Sequence, residues 1–393
     1  MRGKRTFFGV LAAFLVLAMH SGSEAVNTRG IDRVRNKGVL DSRDFQIIDD
    51  FVNEAVRELV MTKDFSSIAT IRSVILARRS SKTSVQAQYA EEFSKSALKY
   101  ISSGFQEAEK LTLEGRKLKV KVNLLILMDG LSDVRLADLA IGMLKDKNAV
   151  IRYLAVRSLT NAGIVKQLNS GGADNSKLAR RIVGRLGEPP LLSYESKKGG
   201  SGPEVIRLMA EFAAAVKVAQ GEDLLGQIAD MRMKRYADWT VKYELLDAAI
   251  LRLLFEKITS GGSSSPAVAR RFGQLYSYVL QRYIKGRDSL NTTQKHQLAS
   301  VLVETEQSCI VKLLGMPQTV IKRAVERGDY TALLQEHSRL LGDKTRAGRL
   351  GLKLKFDYGK TSDGVKRIAP LALPERPKPK ASLPQRHQDT KFF

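Results

Sequence analysis

The stretch "LKVKVNLLILMDGLSDVRLADLAIGMLKDKNAVIRYLAVRSLTNAGIV", Leu118 to Val165, decides the fold. It opens with the alternation of a strand at Val120, Val122 and Leu124. The apolar run then continues through Leu125, Ile126, Leu127 and Met128 without a turn, which predicts a helix over Lys119 to Leu131. Asp133 opens a shorter helix through Leu136, Leu139, Ala140, Met143 and Leu144. The polar turn Lys145 to Asn148 leads into a third apolar set, Val150, Ile151, Leu154, Ala155, Ser158 and Leu159. The first and third helices begin about 30 residues apart, a spacing that suggests stacked helical pairs.

Within this stretch, "DKNAVIRYLAVRSLTNAGI" (Asp146 to Ile164) resembles the second helix of a HEAT-type repeat. The shared features are the turn residue Asp146, the Val150 to Arg152 step, the small Ala155 and the apical Leu159. The resemblance implies paired antiparallel helices stacked into a curved solenoid, with Asp146 and Arg152 bracing neighbouring turns, and it implies a scaffold with no chemistry of its own. Beyond Val165 no fixed period is visible. The expected fold is therefore all-α, either a HEAT/armadillo-like helical repeat (α-solenoid) or an irregular helical bundle, ending in a disordered basic C-terminal tail.

Upstream of that stretch, Met1 to Ala25 reads as an export signal. Arg2, Lys4 and Arg5 precede a mostly apolar run from Phe7 to Met19, and Ser23 and Ala25 flank Glu24. The run is shorter than the roughly 20 apolar residues a membrane span requires, so cleavage between Ala25 and Val26 is expected. The segment holds no cysteine for lipid attachment. The expected location is periplasmic or extracellular, with no transmembrane span in the mature chain. Val26 to Leu40 reads as a loose leader. From residue 41 to 113 come N-terminal helices: one capped by Asp41 or Ser42 and buried through Phe45 to Val60, one capped by Asp64, and one from about Thr83, with a break near Gly104 in view.

HEAT-like repeats are expected over 114–190 and a C-terminal helical region over 203–345. Lys166 to Ser176 and Gly187 to Gly202 ("GEPPLLSYESKKGGSG") read as loops, the second as the best boundary. Pro203 opens a helix, Trp239 to Ile258 reads as one long helical run, and "TSGGSSS" (259–265) as a flexible linker before Pro266. Leu350 to Tyr358 alternates strictly, but a lone strand there has no evident partner. From 359 to 393 a Pro-rich basic tail is expected to be disordered.

Charge bounds the partners. The 393 residues carry a formal net charge of +24; removing Met1 to Ala25, with three cations and Glu24, leaves +22. The tail from Gly359 accounts for +5 of this, so the body itself carries +17 and attracts acidic proteins or polyanions of the cell envelope. No specific nucleic-acid motif occurs. Cys309 is the only cysteine, so no intrachain disulfide is available, and its apolar surroundings predict a buried, inert thiol. His296, His337, His387 and Cys309 have no ligand spacing, so no metal or cofactor is expected, and no catalytic residue is assigned. "GKT" at Gly359 lacks the glycine a phosphate loop needs at position 354, where Leu stands.

The most suggestive constellation is basic plus aromatic. Arg232, Lys234 and Arg235 surround Trp239, the only tryptophan; Arg271, Arg282 and Lys285 accompany Tyr278. These eight residues form the candidate binding face, since rings beside guanidinium groups suit anionic or planar ligands. Against it, Phe272, Tyr276, Val279 and Tyr283 make one helical stripe that would bury in a core and leave the cations merely solvated. The leading expectation is an exported, non-enzymatic scaffold that holds an acidic partner. The rivals are an enzyme with dispersed carboxylates converging near Trp239, and a direct binder of anionic membrane or wall polymer.

Overall fold

The computed structural model describes residues 26–64, 66–192, 201–260 and 266–376. The export segment up to Ala25 and the tail beyond Arg376 lie outside them. Among the described residues every extended element is a helix, and β pairing is confined to two isolated bridges. The chain divides into two units, one reaching Gln167 and one starting at Leu168, earlier than the Gly187–Gly202 loop.

In the first unit, α1 (Arg29–Val34) leads into α2 (Ser42–Met61), α3 (Ser67–Ala77) and α4 (Gln86–Lys110). Asp41 caps α2 by accepting from the Arg43 and Asp44 N–H groups, and the buried Asp44 carboxylate accepts in return from the Asp41 N–H at 3.0 Å. Lys37 balances Asp44 at 2.6 Å. Ile48, Phe51, Val52, Ala55, Val56 and Leu59 share one face of α2 and bury against the Phe93, Ala97, Ile101 and Phe105 face of α4. The helix runs unbroken through Gly104, where a Cβ would lie 3.2 Å from Val60 Cγ2. The glycine thus permits close approach of α2 and α4.

The Leu118–Val165 stretch forms α5 (Glu114–Leu131), a 3-10 turn over Val134–Leu136, α6 (Ala137–Met143) and α7 (Ala149–Thr160). Asp133 and Asn148 cap as their residue types suggest, accepting from the Arg135 and Val150 N–H groups. Ser158 of α7 donates to the Leu125 carbonyl of α5 at 3.2 Å, in the core. Asp146 approaches Lys121 of α5 at 3.5 Å. Arg152 instead donates to the carbonyls of Asp146 and Lys147, which closes the turn that precedes its own helix.

Lys166 to Ser170, expected as loop, is helical and closes α8 (Ala162–Ser170). Ile164 and Leu168, one turn apart, both bury, and that burial outweighs the local Asn and Ser content. The second unit continues through α9 (Ala173–Leu186), α10 (Pro203–Ala215, with Pro203 at its first turn), α11 (Ala219–Ala237), α12 (Leu246–Ser260), α13 (Pro266–Lys285), α14 (Thr292–Thr305), α15 (Val311–Leu314), α16 (Val320–Arg327), α17 (Tyr330–Leu341) and α18 (Arg349–Leu354). Helix α13 is the hub, packed by α11, α12, α14, α17 and α18 and buried almost all round. A π turn over Glu306–Ile310 joins α14 to α15, and there the Glu306 carboxylate accepts from the Ile321 and Lys322 N–H groups at 2.8 Å each, capping α16. Cys309 is buried as expected, and burial pushes its thiol pKa up.

The alternating Leu350–Tyr358 segment is not a strand. Its first half is α18, closed by Lys355 at φ +53°, and its second half packs Phe356 and Tyr358 against Gly273, a notch on α13 where a Cβ would come within 2.9 Å of the Tyr358 hydroxyl. The chain then folds back on itself. Tyr358 N–H donates to the Arg367 carbonyl at 2.8 Å, and Arg367 N–H donates to Gly359 at 2.7 Å.

Candidate functional site around Trp239

Trp239 to Leu245 is not helical, although the sequence reads as one run to Ile258. Helix α12 starts only at Leu246, and Trp239 and Tyr243 hold left-handed backbone at φ +56° and +58°. The cause lies beneath the loop. Arg232 is 1% exposed and grips the fully buried Asp247 through two bonds, Nε to Oδ1 at 2.7 Å and Nη2 to Oδ2 at 2.8 Å. The same guanidinium donates to the carbonyls of Lys242 at 3.0 Å and Tyr243 at 3.4 Å, bending the loop around it. Tyr236 donates its hydroxyl to Asp247 at 2.6 Å, and burial raises the phenol pKa well above its ordinary value.

The structure therefore sorts the eight candidate residues. Arg232 and Tyr278 are core residues. Arg271 forks onto Asp230 of α11, with Nε and Nη2 each at 3.0 Å, and lies over Gly226, where a Cβ would meet the guanidinium carbon at 2.8 Å. Lys234 and Arg235 lie towards the outside of α11, and both are engaged within the fold. Lys285 holds the Leu373 carbonyl at 2.7 Å and Glu375 at 2.6 Å. Trp239 and Arg282 do meet, the guanidinium carbon lying 5.0 Å from the ring centroid.

That stacked pair forms one wall of a cleft of about 230 Å³, lined also by Thr240, Val241, Lys242, Ser289, Leu290, Gln294 and Arg376. No carboxylate, histidine or cysteine is in the lining. Three cations are. Arg282 is 4% exposed, and its Nε and Nη1 are buried with no hydrogen-bond partner. Burial lowers its pKa from the ordinary arginine value, while Tyr236 and Glu244 oppose that shift electrostatically. Glu244 is itself buried, with Oε1 unpartnered, and burial raises its pKa.

Residues 359–376, expected to be part of the disordered tail, are folded onto α13 as far as they are described. The Trp239 Nε1–H donates to the Pro374 carbonyl at 2.8 Å, and this contact brings Arg376 to the cleft. Sequence reasoning missed the Arg376 contribution, which depends on a contact across 135 residues, and the grip of Arg232 on the loop, because the apolar pattern there reads as helix.

His337 is bonded to Ser277 of α13 at 2.8 Å. Among the described residues no group of His, Cys, Asp and Glu could hold a metal ion, and no helix is long and apolar enough to cross a membrane. No family model, no curated protein and no solved structure matches the chain.

Proposed function

We propose that this chain is an exported, non-enzymatic helical scaffold of HEAT-like type that holds an acidic partner at the cleft beside Trp239. One observation carries the reading: Lys242, Arg282 and Arg376 line a cleft that contains no carboxylate. The net charge of +22 left after Met1 to Ala25 supplies long-range attraction, and the cleft supplies a fixed point where an acidic side chain or chain end is met by several donors. The convergence of carboxylates that an enzyme near Trp239 calls for is not found in the lining. The packed neighbouring helices support the scaffold reading, and the apolar-then-small order of Phe7 to Ala25 supports export.

The test is equilibrium binding of a fluorescent oligoglutamate to the chain from residue 26 to 393, over a salt series, beside Arg376→Ser and Lys242→Ser. A charge-assisted hydrogen bond contributes about 1.5–3 kcal/mol, so each variant weakens saturable binding by roughly tenfold or more. Binding that both variants leave unchanged refutes the cleft. Binding that is non-saturable and vanishes with salt assigns the charge alone as the mechanism, as for an anionic polymer.

A further inference from the structure

We infer that α13 and Trp239 together form a receptor for an extended peptide main chain, and that residues 368–376 are its resident, exchangeable occupant. The contacts are to backbone. Gln274 accepts from the Leu371 N–H at 2.8 Å and donates to the Leu371 carbonyl at 3.2 Å, an amide reading an amide. Gln281, seven residues on, donates to that carbonyl at 3.1 Å and accepts from the Leu373 N–H at 2.7 Å. Lys285, a further turn along, takes the Leu373 carbonyl, and Trp239 takes the Pro374 carbonyl. Gln274, Gln281 and Lys285 recur on one side of the helix at the seven-and-four spacing that keeps side chains in line.

This is how a groove recognises an extended peptide independently of most of its sequence, with main-chain bonds for affinity and a pocket for register. The register is set by one side chain: Leu373 is 1% exposed, while residues 371, 372 and 374–376 are exposed. Glu375, paired with Lys285, supplies the only carboxylate contact. The peptide class is thus an extended segment with a buried leucine, then proline, then an acidic residue. The strap's root is held differently. Phe356 and Tyr358 are wedged at Gly273, and Arg270 donates from Nε to the Asp357 carbonyl at 2.6 Å. Between root and occupant, the 359–367 turn carries Gly359 and Gly364 at φ +92° and +82°. The occupant is thus held by main-chain bonds and one buried leucine, on a strap with two left-handed glycines, and such a tethered segment competes with free peptide through its local concentration.

The test uses the chain from residue 26 to 393 and a labelled peptide of the sequence IAPLALPER, read by fluorescence anisotropy. Leu373→Asp expels the strap, and Leu373→Ala loosens it if the charged variant fails to fold. The expected affinity order for peptide is native, then Leu373→Ala, then Leu373→Asp, with at least a tenfold gain for whichever variant folds. Adding Gln281→Leu to that variant reverses the gain. A folded variant without saturable binding, or one that binds equally a peptide with aspartate in place of the leucine that corresponds to Leu373, overturns the inference. The readout is peptide binding rather than anion binding, so failure here leaves the cleft reading intact.

Discussion

Breaking the Arg232–Asp247 pair is expected to unfold the Trp239 loop before it does anything else. Arg232 is 1% exposed and Asp247 0%, so removing either partner alone leaves an uncompensated buried charge, at a cost of about 3–5 kcal/mol. Replacing both, Arg232→Met with Asp247→Leu, removes the charges together. What remains lost is the Tyr236 bond and the two carbonyl bonds to Lys242 and Tyr243, about 0.5–1.5 kcal/mol each. The double variant should therefore cost about 2–4 kcal/mol, well below the sum of the two single costs. Chemical denaturation followed by tryptophan emission reads this directly, because Trp239 is the only tryptophan and sits on the loop that the pair shapes. Arg232→Met and the double variant should shift its emission, since both remove the donor that holds the loop carbonyls. Costs that add to within about 0.5 kcal/mol would refute the reasoning, because they would mean that the two groups stabilise the loop independently.

Three further outcomes follow from the same geometry. Burial lowers His337 from 6.5 to about 4, so the unfolded chain takes up the proton first; stability falls by up to about 3 kcal/mol as pH drops through that window, and His337→Gln flattens the slope in thermal melts across pH 4–7. Glu306→Ala orphans the Ile321 and Lys322 N–H groups and should cost about 2–3 kcal/mol in urea denaturation, with Glu306→Gln recovering part of it. Gly221→Ala would place a Cβ 2.6 Å from the Ala213 carbonyl oxygen and should cost about 1–3 kcal/mol of stability, seen as a lower melting point in calorimetry.

The helices were legible because their signal is local. In α2 the apolar residues recur at three and four from Ile48 to Val60, and the cap Asp41 lies one residue before the helix. The same logic placed Asp133 and Pro203 at helix starts. What escaped was decided by distant partners. Trp239 looks helical until Arg232 draws in the Lys242 and Tyr243 carbonyls, and Leu350–Tyr358 alternates like a strand although its partner is the side of α13. The strap is the clearest case. It was read together with the Pro-rich basic tail that follows it, and nothing local announces Gln274, 97 residues upstream of Leu371, or Trp239, 135 upstream of Pro374. Of the candidate face, the residue types were right for an anion site, but pattern alone could not separate Arg271, which has Asp230, from Arg282, whose Nε and Nη1 go unmet.

Arg282 is also where stability and binding should part. The chain carries 65 basic and 41 acidic residues, so many cations must go without an acid. Most can do so in water at little cost, yet this one is 96% withdrawn from it, with two donors unmet, each costing about 1–3 kcal/mol. Methionine would keep the stem's packing beside Trp239 and discard both orphan donors along with the charge. Arg282→Met is therefore expected to stabilise the unliganded chain by about 1–3 kcal/mol in urea denaturation while weakening oligoglutamate binding at the cleft. A purely structural arginine predicts the reverse, with lost stability and unchanged binding. That reversal would refute the argument, because it would mean that Glu244 and the Trp239 ring already satisfy the guanidinium and that the cleft's charge has no ligand to meet.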